Sequence, residues 1–97
     1  MDPTTRGIVE TWIDFIISDE QLPRYLPTAD NFYKNGIIDS TKSFIFGVVY
    51  SSIRETFYTW IRKQNREPTQ DEGLAFLLLV NERSPKIKAK ILEITSK

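Results

Sequence analysis

An all-helical domain of four helices, packed compactly around a long central second helix with a long loop between helices 1 and 2, is the fold this chain predicts. Three observations carry it. Apolar residues recur every three to four positions across residues 5–18 and 40–66, the spacing that lines side chains along one face of a helix. Helix-start signals stand at Asp39 and Ser40, at Thr69 and at Ser84. The apolar run Leu74 to Val80, which would also suit a buried strand, is rich in Leu with Ala75 and holds only Val80 as a β-branched residue, which favours helix. At 97 residues the whole chain, 1–97, reads as a single domain.

The first helix is predicted over Thr5 to Ser18. Ile8, Val9, Trp12, Ile13, Phe15, Ile16 and Ile17 make a broad apolar face, with Glu10, Thr11, Asp14 and Ser18 opposite. Asp19 to Asp39 carries Pro23, Pro27 and Gly36 with no sustained period, so it reads as a long ordered loop with a short turn of helix. Leu22, Tyr25, Leu26, Phe32 and Tyr33 are expected to tie that loop to the core.

The second helix should start at Asp39 or Ser40 and run to about Arg66 before Pro68 stops it, about 40 Å at 1.5 Å per residue. Phe46, Tyr50, Ile53, Phe57 and Trp60 form its seam, with Val49 and Ile61 beside it. Phe44, Val48 and Tyr58 lie on the far side, and Ser43, Gly47 and Ser51 make a row of small residues that would admit a close helix. The first half of this helix is therefore expected to be buried all round. Thr69-Gln70-Asp71-Glu72 after Pro68 is a capping box that opens the third helix. Ser84 as N-cap and Pro85 in a first turn open the fourth, which turns Ile87, Ile91 and Ile94 to one face and Lys86, Lys88, Lys90 and Glu93 elsewhere.

Composition removes most chemistry. The chain has no His and no Cys, hence no imidazole to exchange protons near neutral pH and no thiolate nucleophile or soft metal ligand. Glu10 and Asp14 stand one helical turn apart, but the helical carboxylate sites that bind metals pair Glu with His, which is absent, and no Glu-x-x-Glu motif occurs. Asp30-Asn31 and Gly36 to Asp39 lack calcium-loop spacing. There is no Ser-x-x-Lys, no Gly-x-Ser-x-Gly, and Gly7, Gly36, Gly47 and Gly73 are too scattered to cradle a phosphate. Arg54 and Tyr58, one turn apart, suggest a stacking contact. No enzyme, cofactor, metal or small-molecule substrate is expected. No apolar run approaches the ~18 residues of a membrane span, and the N-terminus lacks the pattern of a secretory signal, so the expected location is cytoplasmic.

Charge is balanced overall, 13 basic against 13 acidic residues, yet residues 1–40 sum to −4 and residues 41–97 to +4. Either the halves neutralise each other on folding or one meets a partner of opposite sign. Arg62, Lys63 and Arg66, with Arg83, Lys86, Lys88, Lys90 and Lys97, are candidate nucleic-acid contacts if the two groups lie together. A helix-turn-helix register with Asn81 at the turn seats Phe76, Val80 and Ile87 at apolar positions. It also puts Leu77 where a small residue belongs, and Glu82 and Lys90 where apolar ones do.

Two functional expectations follow. The first is a small non-enzymatic interaction module, regulatory in role, that forms a homodimer or docks on a protein partner through the second helix at Tyr50, Phe57, Tyr58, Trp60 and Ile61. The alternative is a helix-turn-helix-like DNA-binding regulator using the last two helices.

Overall fold

The computed structural model describes residues 1–96 and is helical throughout, with no strand among the described residues. Its elements are α1 (Pro3–Ile16), a 3-10 turn (Leu22–Tyr25), α2 (Leu26–Lys34), α3 (Thr41–Arg62) and α4 (Gln70–Thr95). None of these helices is long and apolar enough to cross a membrane.

α1 starts on Asp2, whose carboxylate accepts the Thr5 backbone N–H at 2.8 Å and the Thr5 hydroxyl at 3.1 Å. The Trp60 indole N–H in turn donates to Thr5 Oγ1 at 3.1 Å, so the one buried polar side chain among the described residues is fully engaged. Further along, the Trp12 indole donates to Ser52 Oγ at 2.9 Å. These contacts join the start of α1 to the end of α3 and then the middle of each, so the two helices run antiparallel. α4 returns along α3, with Phe76 stacked on Phe57 at a centroid distance of 4.6 Å. α1 and α4 are therefore parallel.

Four ion pairs climb the α1–α4 junction in step. Arg6 meets Glu82 at 3.0 Å, Glu10 meets Arg83, Asp14 meets Lys86 at 3.3 Å, and Asp19, just past α1, meets Lys90 at 3.5 Å. The opposite charges of the two halves of the chain thus face each other within one molecule. Three long helices make the bundle, 42 × 22 × 20 Å in extent, and α2 closes the end where Phe32 meets Phe44 edge-on at 5.5 Å.

The core draws Val9, Ile13 and Ile16 from α1, Leu22 and Ala29 from the connection, and Phe76, Leu79, Val80, Ile87 and Ile91 from α4. From α3 it takes a row at four-residue spacing: Ile45, Val49, Ile53, Phe57 and Ile61. The expected seam of Phe46, Tyr50, Ile53, Phe57 and Trp60 is shifted, because α1 and α4 flank α3 on two sides and centre its buried face between them. Phe46, Tyr50 and Trp60 become half-buried shoulders of that face.

Three expectations are corrected. The loop before the long helix holds the nine-residue α2, which is more than a turn. The first half of α3 is not buried all round: Ser43, Gly47 and Ser51 face solvent, since no further helix among the described residues covers them. The predicted third and fourth helices are one, because Ser84 does not cap. Its hydroxyl donates back to the Val80 carbonyl at 2.7 Å and the helix passes through Pro85. Ser40 caps α3 and Arg54 lies 4.3 Å over the Tyr58 ring, both as expected. α3 ends at Arg62, four residues before the expected end near Arg66, and leads into a turn where Asn65 adopts φ 59°.

The capping box at the start of α4 is complete. Thr69 Oγ1 accepts the Glu72 N–H at 3.1 Å, and Glu72 accepts the Thr69 N–H at 3.0 Å. Arg66 grips the same carboxylate through both guanidinium nitrogens, at 2.6 and 2.9 Å, and with the Thr69 N–H it holds the Glu72 pKa down to about 2 from 4.5. A folded-state pKa below the unfolded one adds stability that is fully present above about pH 4.5 and drains away as pH falls toward 2. Urea unfolding at pH 5 and pH 3 should show Glu72→Gln losing less stability than the wild type across that interval; an equal loss in both would remove Glu72 from the acid response.

Candidate functional site

A continuous α4 decides which of its side chains point outward. At 100° per residue, Phe76, Leu79, Val80, Ile87 and Ile91 face the bundle, and Leu74, Leu78, Asn81, Pro85, Lys88 and Leu92 line the opposite side. The exposures agree. Leu78 is 68% exposed, Leu74 55%, Leu92 52% and the flanking Leu77 46%, while Leu79, next in sequence to Leu78, is 1% exposed. Single exposed leucines are ordinary, but Leu74, Leu77 and Leu78 lie within about one turn of one another and form a patch, and patches mark contacts; Leu92 stands on the same face about 21 Å further along, beyond Asn81, Pro85 and Lys88.

The patch continues onto α3. Leu74 and Leu77 share a shallow depression with Tyr50, Arg54 and Tyr58, where the Tyr58 ring lies between the Arg54 and Arg62 guanidinium groups, 4.3 and 5.2 Å from its centroid. Two of the five residues expected to anchor a partner, Tyr50 and Tyr58, therefore stand at the border of an exposed apolar face. The other three do not. Phe57 and Ile61 have no exposed surface, like Ile45, Val49 and Ile53 on the same face of α3, and Trp60 lies against the start of α1 with its N–H on Thr5. The outward leucines of α4 were absent from that expectation, although the outward positions 74, 78, 81, 85, 88 and 92, three of them leucine, keep a spacing of four, three, four, three and four that was open to view.

The candidate nucleic-acid residues are divided. Arg62 pairs with Glu67 at 3.1 Å and Arg66 with Glu72, at the α3–α4 turn. Arg83, Lys86 and Lys90 pair with the carboxylates of α1 and its C-terminal turn. Lys63 and Lys88 take part in none of the ion pairs among the described residues, and Lys97 lies outside the described residues. Sixteen residues of helix separate Glu72 from Lys88, about 24 Å of rise, so the two groups do not share one surface. Nor is there a turn at Asn81 to make a helix-turn-helix, because residues 70–95 form a single helix.

The carboxylates fare similarly as chemistry. Glu10 and Asp14 are committed to Arg6, Arg83 and Lys86, and no group of three potential metal ligands occurs among the described residues. A second apolar groove follows the α1–α3 junction past Trp12, Phe44, Gly47 and Val48, and the small row Ser43, Gly47 and Ser51 leaves its floor open. Comparison with protein-family models, with curated proteins and with solved structures returns no match.

Proposed function

We propose that the chain is a small, non-enzymatic, cytoplasmic protein–protein interaction module whose contact surface is the outer face of α4. The observation that carries this reading is the row Leu74, Leu77, Leu78 and Leu92, four large apolar side chains about half exposed or more on the one face of α4 that no other element covers. Burying such a row on a partner removes apolar surface from water at about 25 cal/mol per Å². Tyr50 and Tyr58 border the face and offer rings with polar tips, the residue type favoured at contact edges.

If this face serves contact rather than folding, Leu78→Glu in dilute solution should leave unfolding free energy within about 0.5 kcal/mol of the wild type, as for a surface site. Urea unfolding followed by circular dichroism measures it. A loss above about 2 kcal/mol, the scale of a core leucine, would make the row part of the fold and end the reading.

A further inference from the structure

We infer that Asn35 is a site of spontaneous deamidation, held unreactive by the turn that ends α2 and modified when that turn opens locally. The inference is independent of the α4 surface.

The chain has four asparagines, and the residues that follow them are Phe32, Gly36, Arg66 and Glu82. Deamidation begins when the backbone nitrogen of the following residue attacks the side-chain amide carbon. A side chain on that residue shields the nitrogen, and glycine has none. Asn35-Gly36 is therefore the most reactive pairing, and both of its residues are exposed. In the reaction the Gly36 N–H gives its proton to hydroxide and the nitrogen bonds to Asn35 Cγ. The Cγ–Nδ2 bond then breaks, and ammonia leaves with a proton from water, which regenerates the hydroxide. Water finally opens the five-membered succinimide at one carbonyl or the other, leaving aspartate or isoaspartate at position 35.

The folded turn opposes each of these movements. With ψ of Asn35 at 10°, the Gly36 nitrogen is turned away from the Asn35 side chain, whereas ring closure needs the two eclipsed. The Gly36 N–H donates to the Tyr33 carbonyl at 3.1 Å and the Ile37 N–H to the Phe32 carbonyl at 2.8 Å, the paired bonds of a Schellman turn, with Gly36 at φ 70°. The amide group that must leave donates through Nδ2 to the Asn31 carbonyl at 2.8 Å. All of these bonds lie at the exposed end of a nine-residue helix whose one buried residue is Ala29, a segment of the kind that opens without global unfolding. Either product exchanges the Nδ2 donor for a carboxylate beside the Asn31 carbonyl, at a helix end whose dipole disfavours negative charge. Modification thus favours the open turn and is one-way.

The test is peptide mass spectrometry of the full chain after incubation at mildly alkaline pH, read as the mass gain of amide-to-acid conversion. In concentrated urea, position 35 should convert ahead of Asn31, Asn65 and Asn81. In the folded protein the same conversion should be more than about tenfold slower, equivalent to a turn-opening free energy above about 1.4 kcal/mol. Its rate should stay flat at urea concentrations below the unfolding transition, because local opening exposes little surface. Equal rates in folded and unfolded protein would overturn protection by the turn. A folded-state rate that climbs with urea in step with global unfolding would overturn local opening as the gate, and earlier conversion of another asparagine in concentrated urea would overturn Asn35 as the site.

Discussion

Phe57→Ala should cost about 3–5 kcal/mol of unfolding free energy, the range for deleting a fully buried aromatic side chain. Phe57 has no exposed surface, stacks on Phe76 at 4.6 Å and 14°, and meets the Tyr58 ring edge-on at 5.6 Å. It thus links α3 to α4 where the two helices leave their connecting turn. The vacated volume would be walled by Phe76 and by neighbouring turns of α3, which cannot close in without moving the helices, so the cavity contribution adds to the transfer loss. Domains of this size have a total stability of roughly 5–15 kcal/mol, and the variant should be near or past the edge of folding at room temperature. Urea unfolding gives the number. A loss below about 1 kcal/mol would mean that the α3–α4 contact collapses around the gap and that Phe57 is not the keystone its burial indicates.

The same residue shows how far sequence could reach. Its place on the inner face of α3 follows from periodicity, as do α1, the cap at Ser40 and the capping box at Thr69, because each rests on contacts between residues near in sequence. Whether an aromatic on that face meets a neighbouring helix of its own chain or a different molecule is a tertiary matter. The expectation that Phe57 and Ile61 anchor a partner failed there, since α1 and α4 together supply enough surface to enclose both.

Proline caused two of the misplaced boundaries. Pro27 was read as a breaker, but it occupies the first turn of α2, where its missing N–H is harmless and its fixed φ suits the helix. Leu26, Ala29, Phe32 and Tyr33, spaced three, three and one, carried the helical signal across that stretch. Ser84-Pro85 was given the opposite reading, as the opening of a new helix, although it lies within one. The inward positions Phe76, Val80, Ile87, Ile91 and Ile94 keep a single phase across it, and burial on both sides of Pro85 outweighs its local cost. The outward leucine face of α4 was hidden by the same error. Leu74 and Leu92 fall in line only when the helix between them is unbroken; cut at Ser84, they belong to separate elements with no shared face.

The resolution of the charge asymmetry has a bearing on function as well. The −4 and +4 halves of the sequence spend much of their charge on the α1–α4 ladder, with Glu10, Asp14 and Asp19 taking up Arg83, Lys86 and Lys90. A basic surface for nucleic acid would have to break those pairs or rely on Lys63 and Lys88. Of the charged residues of α4, Asp71, Lys88 and Glu93 stand outside the ion pairs of the described residues.

Pro85→Ala should raise stability by about 2–3 kcal/mol, an unusual gain for one surface substitution. Within a helix, proline stands about 3 kcal/mol below alanine because it has no N–H to donate and its ring crowds the carbonyl one turn back. Here that carbonyl belongs to Asn81, and both residues lie on the exposed side of α4, where water can reach the orphaned oxygen. Exposure explains how the helix tolerates the ring, but it returns only part of the lost bond. Alanine would restore the N–H to the Asn81 carbonyl without touching Ile87 or Ile91, which point to the other side. Thermal and urea unfolding in dilute solution should both register the gain. An unchanged or lower stability would show that α4 needs its proline geometry to seat Ile87 and Ile91 against α1 and α3.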